Sequence, residues 1–237
     1  MSSTGRGRLD RTISKATRVS LREVRAQITR GEVQVNGQPA SHISEQVDQF
    51  TRVQVGELAL AYQTPAYWML HKPKGVVSAT KDAKHTTVLD LLEHPQKHEL
   101  HIVGRLDFNS TGLLLLTNDG HWSRAISAPG SGVAKTYHVR LAKPVSNECI
   151  DAFAQGIHFS FEGITTLPAT LRRIEERYVE VVLHEGKYHQ IKRMFGRFEN
   201  EVLDLHRTAV GQVHLDTTLA LGESRALTAD ELKALTP

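Results

Sequence analysis

The sequence predicts an α/β chain of the α+β kind. A small N-terminal module precedes a larger domain with a mixed, mainly antiparallel central sheet flanked by helices. Three observations point there. The 237 residues suffice for one medium domain and one small one. Gln63-Thr64-Pro65 reads as a linker, because proline discourages a continuing helix or a central strand. Beyond it, apolar segments of both helical and strand period alternate, and the strands follow one another without a regular βαβ rhythm. The expected division is 1–62 for the module, 63–66 for the linker and 67–237 for the second domain.

In the module, Leu9 and Ile13 suggest one short helix. Ser20-Leu-Arg-Glu23 has the form of a capping box, in which the hydroxyl meets an orphan N–H and the Glu reaches back. Leu21, Val24 and Ile28 then share one helical face, with Arg18, Arg22 and Arg25 on another face of the same segment. Gly31 ends the helix where a left-handed residue is tolerated. Val33-Gln-Val35-Asn36-Gly37 is a strand running into an Asn-Gly hairpin. Eight Lys/Arg against two acidic residues give the first thirty residues +6, so with +3 overall the remainder carries −3. A basic block of this kind is an electrostatic footprint for phosphate, and also a common form of solvated helix surface.

In the second domain the expected strands are 67–70, 100–103, 112–116, 137–141, 179–183 and 213–215. The expected helices are 121–126, 147–154, 191–198 and 229–235, with Asp119 and Gly120 capping the first of them. The most informative stretch is Gly104-Arg105-Leu106-Asp107-Phe108-Asn109-Ser110-Thr111-Gly112, followed by four leucines. It puts a carboxylate at the end of the apolar strand Ile102-Val103, a rigid mount for a reactive group. Strand alternation would point Arg105 and Asp107 to the same face. Ser110, Thr111 and Gly112 shape the turn.

Composition bounds the rest. Hydrophobic residues at 40% and charged residues at 23% describe a folded chain and not a disordered one. No apolar run approaches the roughly 20 residues that span a bilayer. Residues 1–8 lack the apolar core of a secretory signal, so a cytoplasmic location is expected. Cys149 is the single cysteine, hence no internal disulfide, and is read as a packed core thiol. His94, His98 and His101 lack a tightly spaced acidic or cysteine partner, so no metal is expected. Nor is there a glycine-rich phosphate loop or a dinucleotide fingerprint, and no cofactor is expected.

Arg8-Leu9-Asp10, the basic helix and Gly31-x-Val33-x-Val35-Asn36-Gly37 together resemble the S4 RNA-binding domain over roughly residues 7–62. The resemblance implies that the face bearing Arg18, Arg22 and Arg25 meets an RNA backbone, a contact that positions without reading sequence. The second domain resembles the RNA pseudouridine synthases, in the branch that modifies ribosomal RNA and carries an S4 domain. Four segments carry the likeness: Met69–Gly75, Val103–Gly120, Lys135-Thr136-Tyr137 and Glu185–Phe195.

That resemblance implies an isomerase that breaks the N1–C1′ bond of a uridine, turns the uracil and joins C5 to C1′, without metal, redox step or cofactor. It makes Asp107 the catalytic carboxylate, as a nucleophile at C1′ or as a base on the sugar. It makes Lys192 the cation that keeps Asp107 ionised, where many relatives carry Arg. Tyr137 would lie against the uracil and help remove the C5 proton, and Ile191 would pack on the base. Arg105 would fill the gap left by the extruded uridine or grip a flanking phosphate. Arg193 and Lys187 would contact phosphate, and His189 would hold the start of its helix. Residues 122–127 and 135–137 are most similar to the small-subunit (16S) branch. The expected partner is therefore 16S rRNA, bare or in a ribosomal assembly intermediate, acted on by a monomer. A 23S rRNA enzyme and a non-catalytic RNA-binding assembly factor stay open as alternatives.

Overall fold

Ser20 begins the second helix of the first unit by accepting a hydrogen bond from the Glu23 N–H, a donor that the helix itself leaves unpaired. The structure is a computed structural model that describes residues 6–160 and 162–235. Its contacts divide the chain between Pro65 and Ala66 into two units. In the first, β1 (Gly7–Arg8) leads into α1 (Leu9–Thr17), and α2 (Leu21–Thr29) follows. The Glu23 carboxylate is turned to Arg30, 2.9 Å away, and does not complete the expected box. β2 (Val33–Val35) and β3 (Gln38–Pro39) form a hairpin through Asn36 and Gly37, at φ 52° and 80°. Both left-handed residues suit the twist of paired strands. β4 (Gln46–Val47) pairs with β1, β5 (Val53–Val55) with β2, and β6 (Leu58–Ala59) with β5.

Leu9, Ile13, Val24, Ile28, Val33, Val35, Val47 and Val53 close one apolar core. Two expectations fail here. Leu21 is 38% exposed, because α2 meets the core only from Val24 onward. Arg18 lies outside α2, as the left-handed cap of α1 with φ 60°.

The second unit runs β7 (Tyr67–Lys72), β8 (His101–Val103), β9 (Thr111–Thr117), α3 (Gly120–Ser127), β10 (Lys135–Leu141), α4 (Asn147–Gln155). It continues with β11 (His158–Phe159), β12 (Ile164–Thr165), β13 (Thr170–Glu175), β14 (Tyr178–Leu183) and α5 (Gln190–Gly196). β15 (Val202–Val210), β16 (Val213–His214), β17 (Ser224–Ala226) and α6 (Ala229–Ala234) complete it. The main sheet has the order β13-β14-β10-β15-β9-β7-β17, with β8 beside β9 and β16 beside β15. Among the described residues β9 and β15 are its parallel neighbours, and its other pairings are antiparallel.

The four leucines of β9 show how the sheet is covered. Leu114 and Leu116 join the cluster that holds Phe153 of α4 and Met194 and Phe195 of α5. Leu113 and Leu115 join Trp122 and Ile126 of α3 and Leu235. A strand buried on both faces reads as a continuous apolar run, and each buried leucine contributes about 1.5–3 kcal/mol. β15 carries the weaker pattern Val-Leu-Asp-Leu-His-Arg-Thr-Ala-Val, and this longest strand escapes the sequence reading. Its Arg207 is only 2% exposed, a buried charge where apolar character is expected.

Candidate active site

The loop of residues 104–110 joins the antiparallel neighbours β8 and β9. Gly104, at φ 74°, turns the chain out of β8, so Arg105 and Asp107 stand on a loop and not on the strand end that the sequence suggests. Two buried cations grip that loop by its carbonyls. Lys72, fully buried in β7, donates from Nζ to the carbonyls of Pro73 (3.0 Å), Asp107 (3.0 Å), Ser110 (2.9 Å) and Phe108 (3.4 Å). Arg207 of β15 donates from Nε to Leu113 (2.8 Å), from Nη2 to Gly104 (3.0 Å) and from Nη1 to Arg105 (3.4 Å). The Ser78 hydroxyl donates to the Leu106 carbonyl at 2.7 Å and accepts from its N–H at 3.1 Å. Burial pushes the Lys72 ammonium down to about 8, against the opposing pull of the Asp107 charge.

Asp107 then faces α5. Its Oδ2 lies 3.5 Å from Lys192 Nζ and its Oδ1 lies 3.4 Å from His189 Nε2. His189 has φ 47°, and its carbonyl accepts the Arg193 N–H at 3.0 Å. Its side chain, expected to hold the helix start, makes no capping bond and turns to the carboxylate. Gln190 fixes the approach to α5: its Oε1 accepts the Lys187 N–H at 2.9 Å and its Nε2 donates to Glu185 at 2.7 Å. Burial would raise the Glu185 carboxyl, but hydrogen bonds from Lys187, Leu167 and Gln190 hold it below its ordinary range.

Arg105, Asp107, Tyr137, Lys187, Ile191 and Lys192 all line one cavity of about 100 Å³. Tyr137 and Ile191 are buried, and with Leu183 and Leu205 they make it partly apolar. Lys187 is ion-paired with Glu185. Arg105 is exposed and pairs with no carboxylate among the described residues. Arg193 does not join the cavity; it pairs with Glu162 at 2.6 Å and stacks over Phe159 at 4.2 Å. Among the described residues no three His, Cys, Asp or Glu side chains converge to hold a metal. The arrangement offers a carboxylate flanked by an amine and an imidazole, beside a phenol and apolar walls. Such a site suits work on the sugar of a flat base.

Sequence reasoning passes over Lys72, Arg207 and Ser78 as site residues and gives His189 another role. Lys72, at the end of β7, is fully buried, which a lysine seldom is without partners, and its partners are backbone carbonyls. In the first unit, Arg18 and Arg22 are exposed. Arg25 is committed to the fully buried Asp10, 2.9 Å away, which Arg8 also holds at 3.0 Å. Burial raises the Asp10 carboxyl, and the hydrogen bonds from Arg8, Arg25 and the Arg11 N–H outweigh it, leaving the group below its ordinary range.

Comparison with known proteins covers both units. The model of the RNA pseudouridylate synthase family matches residues 66–196, and that of the S4 domain matches residues 7–53. The ribosomal small subunit pseudouridine synthase A of Pseudomonas aeruginosa is 48% identical over 95% of this chain and 98% of its own. The protein of the same name from Vibrio cholerae is 39% identical over 96% and 99%. A crystal structure of a pseudouridylate synthase superposes with a TM-score of 0.71 at 36% identity, covering 97% of this chain and 99% of that one. The loop with Asp107 and the segment with Lys192 both fall inside the matched span, and the chain belongs to the RNA pseudouridylate synthase family, with an S4 domain of its own.

Proposed function

We propose that the protein converts one uridine of 16S rRNA to pseudouridine, as a cytoplasmic monomer, with Asp107 acting on the ribose of an extruded nucleotide. The observation that carries this reading is the Asp107 carboxylate between Lys192 and His189 in a cavity walled by Tyr137 and Ile191. The small-subunit choice is supported by the relatives' names.

In the reaction the N1–C1′ bond breaks, the freed uracil turns, C5 bonds to C1′, and C5 gives up its proton while N1 takes one up, so that product and substrate are isomers. Asp107 opens the sequence, as a nucleophile at C1′ or as a base on the sugar. Lys192 sets a cation against one carboxylate oxygen and His189 aligns the other. The Tyr137 ring and Ile191 hold the uracil while it is detached, and the Tyr137 hydroxyl serves the final proton removal. Arg105 fills the gap left by the extruded base or grips the phosphate beside it. Residues 1–65 add affinity through phosphate contacts at Arg18 and Arg22.

Asp107→Asn tests the assignment. Conversion of uridine should be lost, with binding to 16S rRNA largely kept; unchanged conversion would remove Asp107 from the chemistry. Pseudouridine maps of 16S and 23S rRNA from cells with and without the gene test the substrate, and a change confined to 23S rRNA would overturn it. Offering bare 16S rRNA and small-subunit assembly intermediates side by side identifies the form acted on.

A further inference from the structure

A second cavity, of about 460 Å³, adjoins the one that holds the reaction. Arg105, Asp107, Lys187 and His189 line both, so the two spaces meet at the carboxylate. Two aromatic rings on its lining are left open by the fold: Tyr188 is 73% exposed and Phe108 is 42% exposed. Tyr188 stacks on the His189 ring with centroids 3.9 Å apart and planes 18° apart. Phe108 is engaged differently, meeting the His85 ring edge-on at 5.4 Å. The Tyr188 ring is therefore the flat face on offer.

Extruding a uridine breaks its stack with the next base, and a flat aromatic face restores such a stack for any base. Consecutive nucleotides are joined by one phosphate, so two neighbouring base sites need a cation where they meet. Arg105 stands there, exposed and without an acidic partner among the described residues.

We propose that this second cavity takes the unstacked base of the nucleotide next to the target uridine, laid on the Tyr188–His189 stack, with Arg105 on the linking phosphate. The inference rests on the reading of Asp107 given above. Tyr188 is then a binding residue for the flanking nucleotide and takes no part in bond breaking.

The test pairs Tyr188→Ala and Tyr188→Trp with 16S rRNA transcripts. Once the wild type has marked its uridine, short transcripts lacking the base on one side or the other of it are compared. Y188A should raise KM and Kd about tenfold with kcat little changed, and Y188W should restore both. Removing the neighbouring base on one side should cost the wild type a similar factor and cost Y188A nothing further. Penalties that multiply on both sides, or a Kd untouched by Y188A, would overturn the proposal. A wild type that binds 16S rRNA without converting it would instead sink the reading of Asp107, while the Kd comparison would still decide the role of Tyr188.

Discussion

Lys72 and Arg207 grip the loop that carries Asp107, and neither lines the cavity that the loop opens onto. Their partners are backbone carbonyls, which no residue pattern displays. This is why Asp107, Tyr137, Ile191 and Lys192 are legible as neighbours from their motifs while the cations beneath them are not. Lys72→Met keeps the bulk and removes every donor. It should cost about 3 kcal/mol of stability and lower kcat at least tenfold with KM little changed, as read by urea titration and single-turnover conversion. The pH dependence has a definite sign. The folded value of about 8 lies below the ordinary 10.5, so between them the unfolded chain holds a proton that the folded chain has released. Stability from this group therefore rises with pH across that window. The neutral amine meanwhile has fewer N–H groups for its carbonyls, so kcat should fall above pH 8 without unfolding. An equal fall in K72M would show that another group titrates.

β9 and β15 set the two halves of the site side by side, and one residue permits it. Gly112 has φ 109°, and a β-carbon there would run into the Arg207 carbonyl oxygen and come within 2.6 Å of its nitrogen. Both the backbone conformation and the close approach demand glycine. Gly112→Ala should cost at least about 3 kcal/mol, seen as a large fall in Tm, and should release Arg207 from the Gly104 carbonyl. A Tm within a few degrees of the wild type would mean that β9 and β15 can part without loss. The same pair marks the limit of sequence reading at this scale. β9, with four consecutive leucines, declares itself as a strand buried on both faces. β15 mixes Asp204, His206 and Arg207 into its run, because Asp204 pairs with Lys74, His206 meets the Thr111 hydroxyl and Arg207 holds the loop, and the alternation is lost. β13 escapes for a simpler reason, since Arg172, Arg173 and Glu175 at exposed positions dilute its apolar signal, and β17 is only three residues long with a half-buried Arg225 at its centre.

Charge is divided unevenly along the chain. The first thirty residues carry +6 and the remainder −3, so the positive charge that attracts a polyanion is concentrated in one part of the sequence. The arginines of the first unit are nevertheless not equivalent. Arg25 holds the buried Asp10, whereas Arg18 and Arg22 are exposed and make no ion pair among the described residues. Arg18→Ala with Arg22→Ala should therefore weaken 16S rRNA binding and reduce the slope of log K against log salt by between about one and two units. Tm and kcat at saturating RNA should not move. Arg25→Ala should behave differently, lowering the stability of the first unit because Asp10 loses a partner. That stability has its own pH window. The folded carboxyl lies below its ordinary 3.8, so its contribution is present above that value and is lost as pH falls through the folded one. A double variant of Arg18 and Arg22 with an unchanged salt slope would place the RNA on another face of the unit, while a loss of Tm in that variant would make both arginines structural.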